Sequence, residues 1–293
     1  MGEERIRNYQ RGPKAWDLMS SLGVFPVFDK YFSDLNQFIL GLVKLYENGE
    51  MKSWEDLEEK VKAYFTAERM NQMESRVPGW QKMASYTEGI TLVHVMCVFL
   101  GLFMLPEFQG LLIEQKQLAK WIVLFHDVDK VHLRGKKDSM HAFRSGVLVA
   151  KLITKFGFPA TEKYRELIDS WCQYTIQAFI IEDGNTTPKP DNQKLPEILT
   201  GIDQLFGIDT PAALITKAVL LHISLHVDPF YQTPAPLTQA EIRRFIDPEL
   251  FPLLKVMMLS DNEGWSLFEP QTRARQRHDT LQAFQEFERL ISN

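Results

Sequence analysis

The sequence predicts an all-α protein, and three observations carry that prediction. Apolar residues recur at helical spacings of three and four along most of the chain. No segment shows the strict apolar/polar alternation of a half-buried strand, and no internal repeat is present. Capping residues open the apolar runs, and Gly or Pro closes them. The chain has 293 residues, 45% of them apolar and 24% charged, which is ordinary for a folded protein and ample for a sizeable core. A formal charge of −5 argues against an extended nucleic-acid surface or an anionic-membrane coat. The two cysteines, Cys97 and Cys172, sit in apolar helical surroundings, which excludes a disulfide framework and fits a reducing compartment. The first twenty residues lack an apolar signal core. The longest apolar stretch, Val93 to Leu105, is too short to span a bilayer. No membrane association is expected, and the expected location is cytoplasmic.

Taken in order, residues 15–47 predict one or two helices broken near Gly23–Pro26 and stopped at Asn48-Gly49. Ser53-Trp54-Glu55-Asp56 resembles a capping box and opens a helix expected to reach about Met73, with Pro78-Gly79 ending the segment. Residues 1–85 carry no chemical motif and predict an N-terminal helical extension, acting as scaffold or lid. Further helices are expected at 86–104, 115–126, 139–156 and 161–181. Residues 183–196, with three prolines, predict a loop. Helices resume at 196–206, 211–226, 238–245, 248–260 and 270–291, with a Pro-rich connection at 227–236. The main domain thus covers 86–293, with an insert around 161–206.

Glycine-rich phosphate loops, nucleophile elbows, H-E-x-x-H and C-x-x-C are all absent, which leaves histidines and aspartates as the candidate chemistry. The pair His126-Asp127 is weak by itself, since the composition gives about 0.4 such pairs by chance. His278-Asp279 is a decoy of that kind, on a polar helix face. His126-Asp127 instead ends the apolar run LAKWIVLF, which carries a carboxylate inward, where it is costly unless paired or metal-bound. His94 lies in the most apolar helix, where a satisfied core histidine is the plain alternative. His222 and His226 are four apart and share one helix face. Asp261 closes the apolar helix FPLLKVMMLSD. His141 opens an amphipathic helix after a basic loop, and His132 lies within that loop. Imidazole with carboxylate suits one or two divalent ions such as Mn, Fe, Co, Ni, Zn or Mg.

In order, these residues read His94, His126-Asp127 with Lys130, His141, His222 and Asp261. That order resembles the HD-domain superfamily of metal-dependent phosphohydrolases (H…HD-x-x-K…H…H…D), over roughly residues 86–265. The likeness is to the HD modules beside nucleotidyltransferase heads in RNA-processing enzymes, but no G-S-x-x-D-type head motif is present. Asp129 stands where the family often has Gly, and the His141–His222 gap is long. The resemblance implies an HD-like helical bundle in which His94, His126, Asp127 and Asp261 hold one metal. Asp127 then bridges to a second metal on His141 and either His222 or His226. It also implies water activated by metal for attack on phosphorus, with Asp127 central. Lys130 and Arg144 are the candidate phosphate contacts, while Arg134, Lys136 and Lys137 read as a solvated loop. The expected partner is a small phosphorylated substrate, a nucleotide among the candidates. Trp265, Phe268 and Phe230-Tyr231 are expected near the pocket mouth, where they could stack on a base. Two competing functions remain: a di-iron oxygenase resembling the myo-inositol oxygenase family, and a non-catalytic nucleotide- or metal-binding regulatory module. A helical structural protein without a site is the fourth reading.

Overall fold

A computed structural model describes residues 26–84, 90–131, 138–181, 187–224 and 238–292. Within them the chain forms fifteen α-helices. Five precede the central one: α1 (Phe28–Tyr31), α2 (Ser33–Glu47), α3 (Trp54–Tyr64), α4 (Ala67–Arg76) and α5 (Trp80–Ala84). Next come α6 (Ile90–Met104), α7 (Pro106–Gln109), α8 (Ile113–Phe125), α9 (His141–Leu152) and α10 (Tyr164–Ile176). Two short strands, β1 (Phe179–Ile180) and β2 (Lys189–Pro190), pair antiparallel with Phe179 opposite Pro190. The rest is α11 (Leu195–Phe206), α12 (Pro211–Leu221), α13 (Gln239–Phe245), α14 (Leu250–Trp265) and α15 (Pro270–Ser292). The expected all-α class holds. No described helix is long and apolar enough to cross a membrane.

The apolar stretch from Val93 becomes α6, and it is buried on every side: its residues from Thr91 to Leu102 are all inside. A helix apolar all round needs neighbours all round. It finds α14 along most of its length, α8 beside it, and α2, α3 and α5 on the N-terminal side. The α6–α14 approach is close because small residues line it. A Cβ at Gly101 would meet the Ser260 carbonyl oxygen at 3.2 Å, and one at Gly264 would meet Val98 Cγ2 at 3.0 Å. Helix α12 packs on α8, α9 and α14, so α6, α8, α9, α12 and α14 form one mutually packed group. Helices α10 and α11 pack on each other and on the outer sides of α9 and α12, and α15 lies along α13 and α14.

Several boundaries differ from those the sequence predicts, each for a local reason. The helix opened by the capping box at Ser53 and Asp56 stops at Tyr64 rather than near Met73, because Thr66 recaps a new helix through Arg69 N. The first run is split at Phe32, and residues 23–25 of the expected break lie outside the described residues. Helix α12 stops at Leu221, so the helical pairing of His222 with His226 is not formed by that helix, and His226 lies outside the described residues. Helix α14 runs on past Asp261 to Trp265. The short helices at 80–84 and 106–109 and the β1–β2 pairing have no sequence counterpart in the pattern above. The positive φ of Gly79 (100°) allows the chain to turn against the Val128 carbonyl oxygen, which a Cβ there would meet at 3.2 Å.

Candidate metal centre

Five elements deliver six side chains to one buried point. His94 comes from the middle of α6, His126 caps the end of α8, and Asp127 follows in the turn. His141 is the first residue of α9, His222 caps the end of α12, and Asp261 sits in the last turns of α14. His94 and His126 have no solvent exposure, and Asp127, His141 and His222 are also buried. The Asp261 side chain keeps 21% of its surface and is the more open edge of the cluster.

Asp127 divides the group in two. Its Oδ2 lies 3.7 Å from His94 Nε2 and 3.6 Å from His126 Nε2. Asp261 Oδ1 joins the same side, 2.9 Å from His94 Nε2 and 3.8 Å from His126 Nε2. The other oxygen, Oδ1, lies 3.2 Å from His141 Nε2 and 4.0 Å from His222 Nε2. His94, His126 and Asp127 form one set of atoms close enough to hold a metal ion; Asp127, His141 and His222 form another.

Three of the rings are aimed by their own backbone. His126 Nδ1 donates to Val123 O at 2.8 Å, His141 Nδ1 to Asp138 O at 2.5 Å, and His222 Nδ1 to Val219 O at 2.6 Å. A carbonyl only accepts, so each Nδ1 carries the proton and, in the neutral ring, Nε2 presents a lone pair. Those Nε2 atoms converge: His141 and His222 stand 3.1 Å apart. Two lone pairs at that distance repel unless a cation lies between them. Two nitrogens each about 2 Å from one ion would show such a spacing. His126 Nε2 and Asp127 Oδ1 are buried with no hydrogen-bond partner. Orphaned polar atoms in the interior are costly, and an ion in each of the two sets would satisfy one of them. The donor set fits a divalent ion; its identity is open to every imidazole- and carboxylate-binding metal named above.

The electrostatics favour neutral His94 and His222 beside ionised carboxylates. Burial, aided by the nearby His141 and His126, pushes His222 down to about 3. Burial likewise lowers His94, outweighing Asp261. Burial alone would raise Asp127, but His126, Lys130 and His141 together hold its carboxyl well below the usual range. Burial alone would raise Asp261 as well, but the His94 hydrogen bond and the charges of His94 and His126 together hold it low. Lys130 donates to Asp127 Oδ2 at 2.6 Å; despite burial, Asp127 and Asp261 raise its pKa and keep it charged.

The remaining expected residues divide clearly. Arg144 does not turn to the cluster: it donates to Asp138 Oδ2 at 2.5 Å and to Asp129 O at 3.0 Å. It thereby braces Asp138, whose carbonyl aims His141. Asp129 is occupied by Lys82 of α5 at 2.7 Å. Trp265 stacks on His94 at 4.0 Å between centroids, whereas Phe268 packs against Tyr46. His132, Arg134, Lys136, Lys137 and Phe230-Tyr231 lie outside the described residues. His278 and Asp279 are both exposed on α15, as expected of the decoy. Sequence reasoning missed Asp138 and Trp54. Asp138 lies one turn before His141, a spacing that could have marked it; Trp54 gave no signal. No protein-family model matches this chain, no curated protein matches its sequence, and no solved structure matches its fold.

Proposed function

We propose that this chain is a metal-dependent phosphohydrolase of the HD type, acting on a small phosphomonoester, nucleotide or cyclic phosphodiester. The observation that carries this reading is the pair of three-residue ligand sets sharing buried Asp127, with the Lys130 ammonium 2.6 Å from that carboxylate. His94, His126, Asp127 and Asp261 would hold one ion, and His141 and His222 a second through Asp127. A divalent ion bound there would supply water acidified to near neutral pH and a Lewis acid for phosphate oxygens. The chain's own contribution is orientation and charge. The Nδ1–carbonyl bonds fix three rings before any ligand arrives, which limits the reorganisation that binding requires. Lys130 has three N–H donors, of which Asp127 engages one, and its charge opposes that of an arriving phosphate.

Elemental analysis of the purified protein, as isolated and after reconstitution, tests the centre. One or two equivalents of metal per chain are expected, with phosphatase or phosphodiesterase turnover that needs no oxygen. Oxygen uptake with iron would transfer the centre to the oxygenase reading. Tight nucleotide binding without turnover would make it a regulatory module. Absence of stoichiometric metal after reconstitution would overturn the proposal. Asp127→Ala and the isosteric Asp127→Asn are both expected to lose metal and hydrolysis, and retained metal in a folded Asn variant would sink the ligand assignment.

A further inference from the structure

Resting on that reading, we infer that the substrate carries a planar aromatic ring beside its phosphate, and that Trp265 and Trp54 form the platform for that ring. Trp265 follows Asp261 by four residues on α14, so both lie on one helix face. Its indole lies flat on the His94 imidazole, with centroids 4.0 Å apart and planes 17° from parallel. Trp265 as a residue is 48% exposed, while Trp80 and Trp121 are wholly buried in the core. A large apolar ring therefore stands between a proposed metal ligand and solvent. It covers the centre where it meets His94 and keeps part of its own surface exposed.

A second indole shares its orientation. Trp54 opens α3, just after the Ser53 cap, in the N-terminal part of the chain. Its plane is 6° from that of Trp265, with centroids 6.2 Å apart. A flat ligand ring stacked on one indole is therefore parallel to both. Lys130 completes the arrangement, with Nζ 5.6 Å from the Trp265 centroid and 2.6 Å from Asp127. A cation and two parallel aromatic planes thus meet at the edge of the centre. An aliphatic phosphate would use the cation and leave the indoles wet. A heteroaromatic base joined to a phosphate, as in a nucleotide, would use all three. Stacking of a base on an aromatic side chain contributes about five- to hundredfold in affinity.

The test compares the unhydrolysable phosphonate analogues of AMP and of ribose 5-phosphate, which differ only in the base. Calorimetric titration into the full chain loaded with Mn should give at least fivefold tighter binding of the base-bearing analogue, about the lower end of the stacking range. Trp265→Ala should erase that ratio, and Trp54→Ala should reduce it, both at wild-type metal content. Equal affinities in the wild type, or no binding of either analogue, would overturn the inference. So would an undiminished ratio in Trp265→Ala. Should Trp265→Ala lose metal through its contact with His94, Trp54→Ala decides, because Trp54 is on a different helix from every proposed ligand. Metal content separates the two levels. A chain that holds metal but ignores the base keeps the centre and loses the platform, whereas a chain that never holds metal loses the proposed hydrolase itself.

Discussion

His222 faces His141 across 3.1 Å, and only one cation fits that gap, whether proton or metal. Burial has already pushed the His222 pKa down to about 3, so above that pH the folded chain leaves this ring neutral. The unfolded chain titrates the same residue near its ordinary value of 6.5. Between those limits the unfolded state binds more protons, and stability therefore falls as pH falls. His94 is shifted the same way and adds to the effect. Denaturant midpoints of the metal-free protein should accordingly drop between pH 7 and pH 4. A flat or rising midpoint would show that these rings are not buried neutral. The residue scale is also where the sequence was most legible. Each ligand candidate except His226 can be placed, and His94, His126, Asp127, His141, His222 and Asp261 meet at one centre. The order of His and Asp along apolar helices signalled them because burial makes unpaired polar groups costly. Arg144 was less legible, because its partner Asp138 competes for the guanidinium at close range, and only the fold shows that competition.

Among the elements, α6 and α14 set the distance on which the first ligand set depends. Gly264 sits against Val98 at what would be a 3.0 Å Cβ contact, three residues after Asp261. Adding a methyl group there overpacks the contact. Gly264→Ala should destabilise the fold by about 1–3 kcal/mol and weaken metal retention by moving Asp261 away from His94. Thermal unfolding and metal content check the two effects, and a variant with unchanged values for both would show that the helices can part without cost. Helix existence was readable from periodicity, but several helix ends were not. Thr66 interrupts the run after Ser53 by offering its hydroxyl as a new cap, a choice that competes with continuing the helix. Helix α14 passes Asp261 because Glu263 finds partners on α15, contacts far away in sequence.

For the whole molecule, those same contacts tie the C-terminal helix to the core. Glu263 is buried and accepts from Arg273 Nε at 2.7 Å and Arg277 Nη1 at 2.8 Å. Arg277 also donates to Glu107, and Arg273 Nη1 reaches Tyr46 of α2 at 3.4 Å. Glu263→Ala should lower stability by about 1–3 kcal/mol, less than for a fully buried pair, because both arginine side chains keep 22–27% exposure and solvent screens them. A melting temperature within error of wild type would show that α15 is held by its apolar face alone. Long-range closure of this kind, like the approach of Trp54 to Trp265, leaves no trace in local pattern and was not legible in the sequence. The aiming of the rings is the opposite case. His126, His141 and His222 each bond to the carbonyl three residues earlier, so the instruction for where a ring points travels with a four-residue segment. The stretch between α9 and α12 can then lengthen, shorten or acquire new surfaces while both rings keep their bearing. Such a centre is modular in the engineer's sense: its aim is stored in short turns seated on packed helices, and the chain linking α9 to α12 is free to be rewritten.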